Sequence, residues 1–435
     1  MPRRRRHVPL RVYLNHRLVG HLLKEPSGAI RFRYDDGWLD WENAIPVSLS
    51  LPLREDAYRG TPVSAVFENL LPDSESLRRR IAERVGAEGA DAYSLLAAIG
   101  RDCVGALQFS THEVDDRGSA IEGDPLDDAA IEKLLRSLGQ APLGLSRDDD
   151  FRISVAGAQE KTALLWDGKR WRKPVGMTPT THILKPQIGE LPNGIDLSNS
   201  VENEFYCLRL LEAFGLPVND ATIKTFGKTT ALVVERFDRR WTRDGRLLRL
   251  PQEDCCQALS VPPSRKYQND GGPGLVQILD LLKGSDAPDE DRKTVLKAQI
   301  LFWLIGATDG HAKNFSIFLW PGGGYRLTPL YDILSAQPSL DAHQVERKQM
   351  KLAMAVGDKS HYRIDGIQSR HFYETGAAAG LSKATVRTVI DEVAGAAEGA
   401  IRRLKDELPP RFPKLIHISI SEALMTRLRT LAVQV

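Results

Sequence analysis

The 435-residue sequence predicts an α+β protein in two lobes, a β-rich half followed by a helical one. Three observations carry this. Apolar residues recur at strand spacing at Val12, Leu14 and Leu18, and again at Ile30, Phe32 and Tyr34. Runs such as 163–166 and 231–234 are apolar throughout, as in buried strands. Past residue 250 the spacing becomes helical, with Val295, Leu296, Ile300, Leu304 and Ile305 recurring and 300–305 apolar nearly all round.

In chain order, Asn15-His16, Pro26-Ser27-Gly28 and Asp35-Asp36-Gly37 punctuate the first alternating stretch into a small antiparallel sheet. Residues 69–86 and 91–100 read as helices, the second followed by a strand near 106–109, so 1–110 forms an N-terminal α+β module. Residues 113–128 are acidic and rich in turn formers. A short amphipathic helix follows, with Ile131, Leu134, Leu135 and Leu138 as its stripe, and Asp148-Asp149-Asp150 closes a linker over 111–150. The stretch 151–238 reads as a sheet-containing lobe: a small-residue loop, a strand over 182–186, a helix capped by Asn199 or Ser200 with Glu202 in its first turn, and a strand over 231–238. Residues 239–435 form the helical lobe.

Composition bounds the function. With 42% hydrophobic and 27% charged residues, the balance is that of a soluble globular chain, and two or three domains are expected from the length. No stretch approaches a membrane span, so no membrane partner is expected. Arg3-Arg4-Arg5-Arg6 lacks a following apolar run and reads as a solvated tail rather than a secretory signal. Cys103, Cys207, Cys255 and Cys256 show no metal-ligand spacing, and a reducing cytoplasm is the expected compartment.

The chemistry concentrates in Ala307-Thr308-Asp309-Gly310-His311-Ala312-Lys313-Asn314-Phe315-Ser316, followed by Tyr331-Asp332-Ile333. An acid, an amide five residues on, and a later acid reproduce the order of polar groups in protein-kinase active sites. A transferred phosphoryl group carries dense negative charge, so its site needs metal ions on hard oxygen ligands, which Asn314 and Asp332 supply. Asp309 is then the base. The helix before it ends near Gly306. Strands over 315–320 and 325–330, joined by Pro321-Gly322-Gly323-Gly324, bring Asp332 back to the loop. The expected fold is therefore a two-lobed protein-kinase-like one (PI3/4-kinase-like) with an N-terminal α/β module and a helical C-terminal lobe.

Upstream, Lys185 at a strand end is the candidate phosphate-binding lysine, with Glu202 or Glu204 as its partner. The loop from Ser154 to Thr162 is the candidate phosphate loop, because small residues at 156, 157 and 158 let backbone N–H groups approach phosphate oxygens. It matches neither Walker A nor the kinase glycine pattern. Glu235 to Phe237 is the candidate hinge for an adenine edge. His311 stands between the catalytic-loop residues, to contact phosphate or to pack.

Together these residues resemble the HipA family, the serine/threonine-protein kinase toxins of bacterial toxin–antitoxin modules. The resemblance rests on 67–73, 152–165, 180–185, 201–204, 235–238, 309–316 and 350–356. It implies ATP- and Mg²⁺-dependent phosphorylation of a serine in an essential target such as glutamyl-tRNA synthetase, an aminoacyl-tRNA synthetase, with growth arrest and persistence as the result. It implies a HipB-like helix-turn-helix antitoxin, which also links the chain indirectly to operator DNA, and inactivation by autophosphorylation at Ser154. It makes Asp309 the base and Asn314 and Asp332 the metal ligands. Nucleotide contacts fall on Ala156, Gly157, Ala158, Gln159, Glu160, Lys161, Lys185, Glu235, Arg236, Phe237, His311, Ala312, Lys313, Asn314, Tyr331 and Asp332. A nucleotide-binding co-repressor acting mainly in an antitoxin–DNA complex is the alternative.

Overall fold

The computed structural model describes residues 7–114, 121–146, 150–157 and 159–432. The Arg3–Arg6 run, Asp148, Asp149 and Ala158 lie outside the described residues. Contacts divide the chain into one unit of residues 1–186, 224–264 and 317–324 and a second of residues 187–223, 265–316 and 325–435. The border runs elsewhere than the sequence suggests. The N-terminal module shares a unit with the strands of 162–186, and helix Ser200–Ala213 belongs to the helical unit.

The first unit begins with strands β1 (Leu10–Leu14), β2 (Arg17–Lys24), β3 (Ile30–Tyr34), β4 (Tyr58–Arg59) and β5 (Leu107–Ser110), ordered β4-β3-β2-β1-β5. Asn15 and His16 turn β1 into β2 with φ of 46° and 71°, the left-handed pair that suits a twisted hairpin. Phe32 packs edge-on to Tyr34, and Phe67 bridges Phe32 and Phe109 at centroid distances of 5.6 and 5.8 Å.

The helix expected over 69–86 starts later. Helix Thr61–Glu68 ends at Asn69, whose side-chain amide donates to the carbonyls of Ala65 and Val261 at 2.8 and 2.9 Å. The next helix runs Glu75–Val85, with the Ser74 hydroxyl accepting from Leu77 N–H and Gly86 closing it at φ 68°. Pro72, two residues before that cap, has no N–H to give a helix, so the intervening segment is a link. The expected linker also contains structure: Gly123–Leu126 (β6) is an edge strand.

It joins a six-stranded sheet with β7 (Thr162–Trp166), β8 (Trp171–Pro174), β9 (His182–Pro186), Thr229–Glu235 and Ala221–Phe226. Helix Asp128–Ser137 starts on Asp127, whose carboxylate accepts from Ala130 N–H at 2.8 Å. It lays Ile131 and Leu135 on Leu164, Trp171, Leu184 and Val233. Each such side chain contributes about 1.5–3 kcal/mol by leaving water.

The same unit holds a buried ion cluster. Asp102 accepts from Arg239 and Arg249 at 2.9 and 3.0 Å on one oxygen. On the other it accepts from Thr180 N–H, the Thr180 hydroxyl and Arg236 at 3.0, 2.7 and 3.3 Å. Asp238 takes the Arg236 fork in a bidentate pair at 2.9 and 2.8 Å and also accepts from Gly105 N–H. Burial by itself would raise the Asp102 pKa, but Arg239, Arg249 and Arg236 outweigh it and hold the carboxyl far below its usual range. Three guanidinium groups thus face two carboxylates with side chains at most 5% exposed. All four cysteines are buried and none is in a disulfide, and burial pushes the Cys103 thiol up to about 12, so it stays protonated.

The second unit is built on helix Pro288–Ile305, buried from Val295 onward except at Lys297 and closed by left-handed Gly306. Trp303 packs on Phe372 and donates its indole N–H to Ile364 O at 2.9 Å. Helix Ser200–Ala213 has Asn199, one of the two expected residues, at its N-cap, but the Asn199 side chain makes no capping bond: Ser200 is already helical and turns its hydroxyl to Ile188 N–H, while the Gln187 amide oxygen accepts from Val201 N–H at 2.9 Å. The strands after the acid loop are shorter than expected, Ser316–Leu319 and Tyr325–Leu327. Among the described residues no helix is long and apolar enough to cross a membrane.

Asp102→Asn leaves three buried arginines against one carboxylate. A loss of about 3–5 kcal/mol is expected in urea unfolding, as for removal of one partner of a buried ion pair. An unchanged midpoint would contradict the role given to the cluster.

Candidate functional site

The acid loop leaves the end of helix Pro288–Ile305. Its last carbonyls do not face solvent unpaired. The Ser335 hydroxyl donates to Ile305 O at 2.6 Å, Arg427 donates to Leu304 O at 2.7 Å, and Ala336 N–H donates to Gly306 O at 2.9 Å. Asn203 holds Ser335 in turn with both of its amide groups, at 2.8 and 3.0 Å. Gly310 lies so close to the helix that a Cβ there would meet the Phe302 ring at 2.6 Å. Thus the loop starts from a rigid, capped support.

Within the loop His311 N–H donates to Asp309 O at 2.8 Å, and Asn314 N–H donates to His311 O at 2.9 Å. The Asn314 side-chain amide donates to Asp309 O at 2.9 Å and lies 3.5 Å from Asp332 O. One side chain therefore ties the segment of the base to the segment of the second acid. Asp332 adopts φ 58°, an uncommon conformation for a non-glycine residue. Tyr331 donates to Lys313 O at 2.9 Å and meets the Ser316 hydroxyl at 2.6 Å. His311, Lys313 and Asn314 are buried, while the Asp309 side chain is 58% exposed. Tyr267 donates its hydroxyl to Asp309 Oδ1 at 2.6 Å and packs its ring edge-on to His311 at 4.9 Å.

Asn314 and Asp332 fit a magnesium ion. Among the described residues no group of three or more His, Cys, Asp or Glu forms a metal cage. Magnesium binds through one or two protein oxygens and completes its shell with water and substrate phosphates, which suits one amide and one carboxylate.

The other predicted residues lie in the first unit. Phe151, Ile153 and Val155 are buried, and Ser154 is 0% exposed between them. Ser154 N–H donates to Asp102 O at 2.9 Å, and its hydroxyl donates to Leu70 O at 2.7 Å. Gly157 bridges to Pro72 at φ 105°, a conformation open to glycine and costly for other residues. Lys161 folds back to donate to Ala156 O at 2.9 Å. Gln159 reaches Pro186 O at 3.4 Å, one residue past Lys185, which is buried on β9 opposite Leu232. Glu160 is exposed. In the hinge segment, Arg236 commits its guanidinium to the ion cluster, its N–H to Thr181 O and its carbonyl to Arg239 N–H. Phe237 packs edge-on to Phe318 at 5.7 Å. The carboxylate of Glu202 accepts from Gln187 at 2.6 Å, whereas Glu204 is buried.

The structure thus brings Asp309, His311, Asn314, Tyr331 and Asp332 together in one unit. In the other it brings Ser154, Gly157 and Lys161 together, with Lys185 one residue from the Gln159 contact. Sequence reasoning missed Tyr267 and Asp102. Tyr267 lies in a stretch of short turns without periodicity. Asp102 left a trace only in the Arg236-Phe237-Asp238-Arg239 run, whose buried arginines require a second carboxylate from elsewhere.

A helical unit whose catalytic-type loop follows a buried helix, and a sheet unit with a strand lysine, define a two-lobed α+β protein-kinase-like fold. The comparisons narrow the class. Family models match as the HipA N-terminal domain over residues 10–110 and the HipA-like C-terminal domain over residues 153–401. The protein Y4mE of Sinorhizobium fredii is 36% identical over 404 residues, covering 91% of this chain and 92% of that one. The serine/threonine-protein kinase toxin HipA of Shewanella oneidensis is 30% identical over 368 residues, covering 81% and 79%. The solved structure of a Shewanella oneidensis HipA, from a complex with HipB and operator DNA, superposes with a TM-score of 0.77 at 24% identity, over 98% of this chain and all of that chain. This chain belongs to the HipA family.

Gly310→Ala places a methyl group against Phe302. It is expected to lower stability by about 1–3 kcal/mol in thermal unfolding, with part of the loss recovered when Phe302→Leu is added. Equal melting of wild type and Gly310→Ala would mean that the loop is not seated on the helix.

Proposed function

We propose that the chain is an ATP- and Mg²⁺-dependent serine/threonine protein kinase and the toxin of a toxin–antitoxin pair. The observation that carries this reading is Asn314, which ties the Asp309 carbonyl to the Asp332 segment and leaves three oxygen-bearing side chains around one loop. In the reaction, the hydroxyl oxygen of a substrate serine bonds to the γ-phosphorus of ATP. The bond from that phosphorus to ADP breaks with its electron pair leaving on ADP, and the serine proton passes to Asp309. Asn314 and Asp332 would hold magnesium, which would supply positive charge against the phosphates. Lys185 neutralises further phosphate charge. Gly157 and its neighbours, with Gln159, Glu160 and Lys161, cover the phosphates. The adenine edge falls to the backbone of Glu235 and Phe237, since both backbone groups of Arg236 already serve the strand and turn. His311, Ala312, Lys313 and Tyr331 are the remaining nucleotide contacts in this reading.

The named toxin among the relatives supports the toxin role, and the solved complex of its Shewanella counterpart supports a HipB-like helix-turn-helix antitoxin, with operator DNA reached through it. Within this reading the protein works in the cytoplasm. Its target is an aminoacyl-tRNA synthetase, such as glutamyl-tRNA synthetase, whose phosphorylation arrests growth and leads to persistence. Ser154 is the self-inactivating site. Its buried hydroxyl has no room for a phosphate while it bonds Leu70 O, so modification requires the loop to leave Leu70 and Pro72. A phosphoserine, with its added charge, would then keep the loop from returning.

Incubation with labelled ATP and a total bacterial lysate, followed by identification of the labelled protein, tests the reading. Asp309→Asn is expected to reduce transfer by about a hundredfold or more, as for loss of a general base. Lys185→Ala is expected to weaken ATP binding by roughly 1.5–3 kcal/mol in calorimetry. Wild-type transfer by the Asp309 variant would overturn the assignment of the base.

A further inference from the structure

Residues 350–356 help to carry the family resemblance, yet nothing above gives them a task. They form strand Lys351–Val356, which pairs with His361–Arg363 only at its two ends, Lys351 with Arg363 and Val356 with His361. The register shifts between those pairs. A cavity of about 830 Å³ opens there, with Tyr267, Thr308, Lys351, Leu352, Ala353 and Tyr362 among its walls. Two of these lead directly to the base: Thr308 precedes Asp309 in the chain, and Tyr267 donates to Asp309 Oδ1 at 2.6 Å.

The walls describe an occupant. Leu352 and Ala353 give a buried apolar floor on a strand whose regular pairing is interrupted, a surface that suits an extended polypeptide. The volume lies in the range of ordinary ligand pockets and takes a few residues of chain. Charge is placed unevenly. Arg363 is neutralised by Asp365 at 3.1 and 2.6 Å. Lys351 is exposed and has no carboxylate partner among the described residues; Asp270 is the one unpaired acid on the wall. His361 stacks on His371 at 3.8 Å and is held in the wall. At the base, Tyr267 engages Oδ1 and is itself braced edge-on against His311, which leaves Oδ2 of Asp309 to receive a proton.

We propose that this cavity is the docking site for the protein substrate. An extended segment lies along Leu352 and Ala353, its serine hydroxyl meets Asp309 beside Tyr267, and an acidic side chain flanking that serine pairs with Lys351. The proposal rests on the kinase reading and names the substrate class for that same site. Tyr267 is a positioning residue: its hydrogen bond holds an otherwise exposed carboxylate in one orientation.

The test uses the full-length protein, Mg-ATP and a serine-centred peptide library with each flanking position varied in turn. Wild type is expected to favour Asp or Glu at one flanking position. Lys351→Glu is expected to lose that preference by about tenfold and to favour Lys or Arg at the same position, because like charges repel there. Lys351→Met should lose the preference without gaining the opposite one, a pattern that a misfolded or merely structural variant does not produce. Without nucleotide, the best peptide should slow hydrogen exchange at 350–356 in wild type. The same ranking of peptides by all three proteins, or protection confined to other segments, would overturn the proposal. If wild type transfers phosphate to itself or to a lysate protein but to no peptide, the docking site falls and the kinase reading stands. If it neither binds nor uses ATP, the kinase reading falls and takes this proposal with it.

Discussion

One buried carboxylate organises the sheet unit. Asp102 comes from the N-terminal module, but almost everything it touches belongs to the lobe that follows. Its backbone carbonyl receives Ser154 N–H, which anchors the candidate phosphate loop. Its side chain receives Thr180, two residues before β9 and therefore at the root of the strand that carries Lys185. It also receives Arg236, in the middle of the candidate hinge, together with Arg239 and Arg249. Taking so many charges out of water is costly, and the cost is offset only when every donor and acceptor meets its partner in good geometry. Such a cluster therefore contributes more to a single arrangement than to raw stability. Loop, lysine strand and hinge are all held by the same residue.

The N-terminal module accordingly shares one contact unit with the strands of that lobe. Pro72 and Leu70, both from that module, hold Gly157 and Ser154. Release of the loop accordingly means breaking contacts with residues more than eighty positions earlier in the chain, and the proposed control by phosphorylation would act on that latch. In the helical unit the equivalent constraint is local. A buried helix ends at Gly306, its free carbonyls are taken by Ser335, Arg427 and Ala336, and the loop beyond closes on itself through Asn314. The strained backbone of Asp332 is held by its neighbours, since Tyr331 is fixed to Lys313 and Ser316.

What was legible in the sequence follows from range. The order Asp309, Asn314, Asp332 is a short-range pattern, and the chemistry of a metal–phosphate site restricts the residue types at each place. The stripe Ile131, Leu135 and Leu138, the turn at Asn15-His16 and the stop at Gly306 were readable because each is decided by neighbours in the chain. The start of helix Glu75–Val85 was misplaced because Leu77 is the one apolar residue in 73–80, so no apolar stripe marked the cap at Ser74. At helix Ser200–Ala213 the N-cap position at Asn199 was readable, but not that Gln187, thirteen residues before Ser200, would make the capping bond. Tyr267 and Asp102 were invisible for the same reason on a larger scale. Their partners lie 42 and up to 147 residues away, and no periodicity or spacing records such a pairing.

Native-state hydrogen exchange in rising denaturant tests most directly whether Asp102 makes one body of the N-terminal module and the sheet lobe. Amides of β1 and β5 on one side, and of β7, β9 and Thr229–Glu235 on the other, should converge on a single unfolding free energy with a single denaturant dependence. If β1 and β5 exchange through an opening at clearly lower denaturant while the other strands stay protected, the two are separate folding units, and the account built on their shared carboxylate is wrong.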